Sequence, residues 1–175
     1  PSVLCTADKA AVCAVAERAA RALGITHGTA KGDMVLTKDG PKVIEIAARL
    51  SGGWMSTRQI PLATGVDLVG IAIRLALGEP VLQHEAQPVR HLGCAIRYLW
   101  PRPGRVTTIT GIETAQQHDG VVQLDIAVKP GDTIPPVTNH TQRAGCVITT
   151  GATREEAVAR AEAAVQMVKI EMEAP

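Results

Sequence analysis

The first part of the chain combines helical and strand-like hydrophobic patterns. Apolar residues recur three or four positions apart over 8–23, which predicts an amphipathic helix. Asp8 is expected to cap its N-terminus, and Gly24 is expected to end it. A short helix is predicted over 54–64, ending near Gly65, and similar apolar spacing predicts a further helix that Asp67 caps. The stretch between these helices follows a different pattern.

That stretch contains two short runs of β-branched and aliphatic residues, which predict strands over 33–37 and 42–46. Asp39-Gly40 between them is a strong turn sequence, so the strands are predicted to form an antiparallel hairpin. A hairpin brings residues from distant positions side by side, and its register decides which side chains meet.

The later part of the chain is dominated by strand patterns. Apolar and polar residues alternate over 122–128, which predicts a half-buried strand. Thr153 and Glu156 form a capping box, and the helix that they begin is predicted to run to about residue 172. The other predicted elements are strands over 91–99, 105–110 and 143–150 and a loop over 133–142.

The polar, irregular stretch 83–88 is interpreted as a domain boundary. We therefore predict two domains, 1–84 and 88–175. Both mix helices with antiparallel strands, so the predicted fold class is α+β.

Composition narrows the classes of function. The 175 residues carry a net charge of +1, which indicates no nucleic-acid or other polyanion partner. No apolar run approaches the ~20 residues that span a bilayer, and no signal pattern opens the chain. We therefore expect a cytoplasmic protein with no membrane partner. Phe is absent, so the core must be packed with aliphatic residues, and the four cysteines, which lack metal-type spacing, are expected to be reduced thiols.

Two acidic residues of the hairpin are candidate metal ligands, depending on the register. A two-residue loop of Asp39-Gly40 would pair Asp33 with Ile46, whereas a three-residue loop that adds Lys38 would pair Asp33 with Glu45. The second register places the two Cβ atoms roughly 5 Å apart, where like charges repel unless a cation lies between them. Mg²⁺ commonly takes one or two carboxylates together with substrate phosphates. Two solvated surface acids remain the alternative.

Three further residues near the hairpin are candidates for binding phosphate. Arg49 follows the second strand and presents a planar fork of donors that suits phosphate or carboxylate. Gly52 and Gly53 would allow backbone N–H groups to approach a ligand closely. Lys31 is interpreted as a surface lysine, with pairing to Asp33 as the alternative.

Taken together, these motifs resemble the C-terminal half of an ATP-grasp domain. The resemblance includes the acid at Asp33, the Asp39-Gly40 turn, Glu45, Arg49 and the following glycine pair. Residues 88–175 resemble the small α+β C-terminal domain of ATP-grasp ligases of the L-amino-acid-ligase type, which is similar to that of biotin carboxylases. Here Leu50-Ser51-Gly52-Gly53-Trp54 replaces the Val-Glu-His segment of the biotin carboxylases, which argues against that activity.

The resemblance implies an ADP-forming carboxylate–amine ligase that activates a carboxylate as an acyl phosphate. It assigns Mg²⁺ or Mn²⁺ to Asp33 and Glu45, and the phosphate or intermediate to Arg49, Gly52 and Gly53. The implied partners are ATP, small carboxylate and amine substrates, and the N-terminal part of the same enzyme; homodimer formation is left open.

Two features depart from the family pattern. Ala47 replaces the usual Asn, which would be a third metal ligand, and Asp33 replaces the commoner Glu. A non-catalytic oligomerisation or partner-binding module is therefore the alternative function. Only 32 residues precede Asp33 and the chain starts without Met, so we expect a C-terminal fragment that shows no ATP turnover by itself.

Overall fold

The computed structural model describes residues 3–173 and divides between Arg90 and His91 into two compact units. The first unit contains three helices and one hairpin, and the second contains two helices and six strands. This mixture confirms the predicted α+β class. Within residues 3–173, no helix combines the length and the apolar character that a membrane span requires.

The first helix, α1, covers Thr6–Ala22 and begins earlier than predicted. Its N-cap is Cys5, whose sulfur accepts a hydrogen bond from the backbone N–H of Asp8 at 3.5 Å. The prediction that Asp8 caps the helix is therefore wrong. Asp8 instead lies in the first turn, where its negative charge complements the helix dipole. Gly24 follows the helix with a φ of 74°, as a terminating glycine should.

The predicted hairpin is present as β1 (Lys31–Thr37) and β2 (Gly40–Ala47), which pair antiparallel. Helix α1 packs against both strands. A two-stranded sheet has little stability by itself, so this packing against a helix supports the hairpin.

Two helices follow the hairpin, close to the predicted positions. A π-helical turn over Met55–Gln59 leads into α2 (Ile60–Thr64), which ends at Gly65 with a φ of 79°. Asp67 caps α3 (Leu68–Ala76), as predicted, because its Oδ1 accepts a hydrogen bond from Gly70 N–H at 2.9 Å.

The second unit consists of β3 (Gly93–Leu99), β4 (Gly104–Thr110), α4 (Ile112–Gln116), β5 (Val121–Ile126), β6 (Thr133–Ile134), β7 (Gly145–Gly151), α5 (Arg154–Met167) and β8 (Lys169–Glu173). Its strands form two three-stranded antiparallel sheets. One sheet has the order β3-β7-β5 and the other has the order β6-β4-β8. Helix α5 packs on β3 and β7, with Ala157, Ala161 and Ala164 fully buried.

The C-terminal segment differs from its prediction. Helix α5 ends at Met167, and residues 169–173 form β8 instead of a last helical turn. Ile170 and Met172 pack against the core, while Lys169, Glu171 and Glu173 are exposed. The segment therefore follows the two-residue period of a strand. The predicted loop over 133–142 also contains short β6 and a 3₁₀ turn.

Candidate functional site

The hairpin places Asp33 directly opposite Glu45, although not through the predicted turn. Near the turn, Thr37 pairs with Gly40, so the connection is the two residues Lys38-Asp39. Continued along the strands, this register would set Asp33 opposite Ile44. The three-residue loop is therefore wrong as the cause of the pairing, while the pairing itself occurs.

A bulge in β2 produces the acid pair. The register shifts between Asp33 and Met34, because Met34 pairs with Val43 whereas Asp33 pairs with Glu45. Ile44 is thus the extra residue, and its side chain is 70% exposed. A bulge of this kind redirects side chains, and here it brings two carboxylates to the same position of the hairpin.

Lys31 lies between the two acids. Its Nζ donates to Asp33 Oδ2 and lies 3.3 Å from Glu45 Oε1. The Lys31 side chain is only 18% exposed, whereas the two acidic side chains are about half exposed. The hydrogen bond to Asp33 is the largest influence on the pKa of Lys31 and raises it; partial burial opposes this, and Glu45 raises the pKa further.

Arg49 extends this cluster from the end of β2. Its Nη2 lies 3.7 Å from Glu45 Oε1, and its Nη1 donates to the carbonyl oxygen of Leu50 at 3.1 Å. The side chain remains 56% exposed. Two acids and two bases make the cluster formally neutral, and the exposed guanidinium is accessible to a ligand.

The turn after Arg49 has an unusual backbone. Gly53 has a φ of 61° and Trp54 a φ of 64°, and Trp54 is the one non-glycine residue with positive φ among residues 3–173. A left-handed conformation costs a bulky residue on the order of 1–3 kcal/mol and tends to occur at functional sites. A Cβ at Gly52 would meet no atom within 4 Å, so packing does not explain that glycine.

Ion pairs through Lys31 thus connect Asp33 with Glu45, and Glu45 in turn pairs with Arg49. Gly52 and Gly53 lie in the adjoining turn. The prediction of a surface lysine at Lys31 is wrong, and the alternative of pairing with Asp33 is confirmed, because the side chain is 18% exposed and its ammonium group contacts Asp33. The signal was its spacing from Asp33, because residues i and i+2 of a strand share a face.

The donor atoms fit an ion that is shared with a substrate better than a closed protein cage. No group of three or more His, Cys, Asp or Glu residues that could hold a metal occurs within residues 3–173. The pair of carboxylates matches the one or two that Mg²⁺ commonly takes when phosphates supply further oxygens. Ala47, opposite Lys31, adds only a methyl group.

This chain is similar in sequence and fold to known proteins. Residues 97–173 match the family model of the L-amino acid ligase C-terminal domain 2. The uncharacterized protein y4rH of Sinorhizobium fredii (strain NBRC 101917 / NGR234) is 31% identical over 154 residues, which are 88% of this chain and 32% of that protein.

Solved structures, among them the following two, match 99% of the chain. An L-amino acid ligase from Bacillus licheniformis has a TM-score of 0.82 at 26% identity, and the match covers 45% of that chain. A phosphoribosylglycinamide synthetase from Anaerococcus prevotii has a TM-score of 0.85 at 15% identity, and the match covers 44% of it. The chain thus spans less than half the length of the proteins it matches. It has the fold of the C-terminal part of ATP-grasp ligases, and its residues 97–173 match the L-amino acid ligase C-terminal domain 2.

Proposed function

We propose that this chain is the metal- and phosphate-binding part of an ATP-dependent, ADP-forming carboxylate–amine ligase that acts through an acyl phosphate. The observation that carries this proposal is the direct pairing of Asp33 with Glu45, with Arg49 in contact with the same carboxylate. The similarity to an L-amino acid ligase supports amino acids as the substrates.

Each residue has a proposed role. Asp33 and Glu45 would hold Mg²⁺ or Mn²⁺, and the ion would neutralise the charge of the ATP phosphates. Arg49 faces the transferred phosphoryl group and the acyl phosphate, where a guanidinium stabilises charge that develops in the transition state. Gly52 and Gly53 let the backbone after Arg49 approach the phosphates closely.

Binding of the whole nucleotide requires contacts beyond those of the described site. Two carboxylates and one arginine bind phosphates and leave the adenine unaccounted for. Because the chain spans less than half the length of the matched ligases, we propose that a preceding part of the same polypeptide supplies the remaining nucleotide contacts.

Trapping with hydroxylamine tests this function in the full-length protein that carries the chain. Hydroxylamine attacks an acyl phosphate and forms a stable hydroxamate. We expect hydroxamate and ADP to form together when ATP, Mg²⁺ and a suitable amino acid are supplied, and neither to form when the Mg²⁺ is chelated. Release of AMP instead of ADP would contradict the proposed chemistry, because it would indicate an acyl adenylate.

A further inference from the structure

We propose that Lys31 is the internal counter-cation of the acid pair and that a divalent ion binds only by displacing its ammonium group. This inference rests on the proposed metal-binding role of Asp33 and Glu45. In this proposal Lys31, a residue of β1, controls how tightly the acid pair binds the ion.

The position of the ammonium group carries the first part of the inference. Lys31 Nζ contacts one carboxylate oxygen of Asp33 and lies 3.3 Å from one of Glu45, so a single cation bridges both acids. A divalent ion shared by the pair would occupy the same space, because it also needs an oxygen atom from each carboxylate.

The burial of Lys31 carries the second part. Lysine side chains are usually solvated, yet this one is 18% exposed while its two partners are about half exposed. The ammonium is therefore held against the carboxylates from the side of the protein, and solvent reaches the acids from the other side. An incoming ion meets acids whose inner oxygen atoms are already bonded.

Charge carries the third part. Lys31 and Arg49 balance Asp33 and Glu45, so the cluster has no net charge to attract a cation. Removal of the Lys31 charge leaves a net charge of −1 and frees the oxygen atoms that the ammonium occupies. For half-exposed groups we expect the ion to bind about tenfold more tightly, since Coulomb energies at such distances are screened by water.

Mn²⁺ binding to the full-length protein, followed by electron paramagnetic resonance, tests this inference. Lys31→Met keeps an unbranched side chain, one heavy atom shorter than that of lysine, and removes its charge. We expect it to lower the Mn²⁺ dissociation constant about tenfold. Lys38→Met is the matched control: it removes the same charge from the same hairpin at an exposed turn position, and it should leave the constant nearly unchanged.

Thermal unfolding without metal gives a second readout. Lys31→Met should lower the melting temperature, because Asp33 and Glu45 would then repel each other across the strands. Adding Asp33→Asn to that variant should restore most of the loss.

The outcomes separate this inference from the proposed function. Equal or weaker Mn²⁺ binding by Lys31→Met would overturn the counter-cation role and leave the acid pair as the metal site. Unchanged binding by Glu45→Gln would place the ion elsewhere and overturn the metal role proposed for the acid pair. Absence of Mn²⁺ binding in all variants would overturn both.

Discussion

Replacement of Glu45 by glutamine is expected to lower the rate of ADP formation by the full-length protein at least about 100-fold. Glutamine has nearly the same shape but carries no charge, so the pair would hold a divalent ion with one carboxylate instead of two. Phosphoryl transfer depends mainly on positioning and charge neutralisation, and both would be weakened. The Glu45 side chain is about half exposed, so the fold should be retained.

This prediction is checked by a coupled assay of ADP release, together with thermal unfolding of the same samples. Asp39→Asn is the matched control, because it removes a carboxylate from the exposed turn of the same hairpin. The control should keep the wild-type rate. A wild-type rate in Glu45→Gln would remove Glu45 from the mechanism.

The second large effect concerns stability. Gly93→Ala is expected to destabilise the second unit by about 3 kcal/mol or more. A Cβ at Gly93 would lie 1.8 Å from the carbonyl oxygen of Thr153 and 2.8 Å from the backbone nitrogen of Arg154. Both atoms belong to the backbone where α5 begins, so either β3 or the helix must move. Helix α5 covers β3 and β7, and the displacement would disturb the core beneath it.

Gly131→Ala provides the comparison for this variant. Gly131 has a φ of 96°, and a Cβ there would meet nothing within 4 Å, so the substitution tests conformational strain without a steric clash. We expect it to cost about 1 kcal/mol. Urea unfolding of both variants measures the difference, and equal stabilities would show that the close approach at Gly93 is not what fixes α5 on the sheet.

The sequence predicted the acid pair correctly but for a different reason. Two strands and the turn between them could be read from β-branched residues and Asp39-Gly40. The bulge at Ile44 could not, because a bulge depends on how the whole strand packs and has no strong local signal. A two-residue turn and one bulge give the same pairing as a three-residue turn.

The predicted C-terminal helix is too long because Val168 continues the three- and four-residue apolar spacing of α5. The last five residues described, Lys169–Glu173, alternate polar and apolar, and tertiary pairing with β4 decides in favour of a strand. Helix N-caps can be predicted where the residue is one of the types that commonly cap helices. Asp67 and Thr153 are such residues and cap their helices as predicted, whereas cysteine, the N-cap of α1, is not.

The sequence indicates only part of the ion-pair cluster of the site. Lys31 and Asp33 share a strand face, and this much could be read. Contact of the same ammonium with Glu45 depends on the register across the hairpin, which the bulge sets. The strained turn at Trp54 could not be predicted either. Bulky residues rarely adopt a positive φ, so a tryptophan in the sequence does not indicate a left-handed turn.

The most direct measurement is the anomalous scattering of Mn²⁺ in crystals of the full-length protein grown with a non-hydrolysable ATP analogue. We expect a peak between Asp33 and Glu45, within about 2.0–2.5 Å of an oxygen atom of each, with phosphate oxygens completing the coordination. Lys31 should then have turned away from at least one of the acids. Mn²⁺ bound to the phosphates alone, with the acids still held by Lys31, would contradict the role of this pair as the metal site.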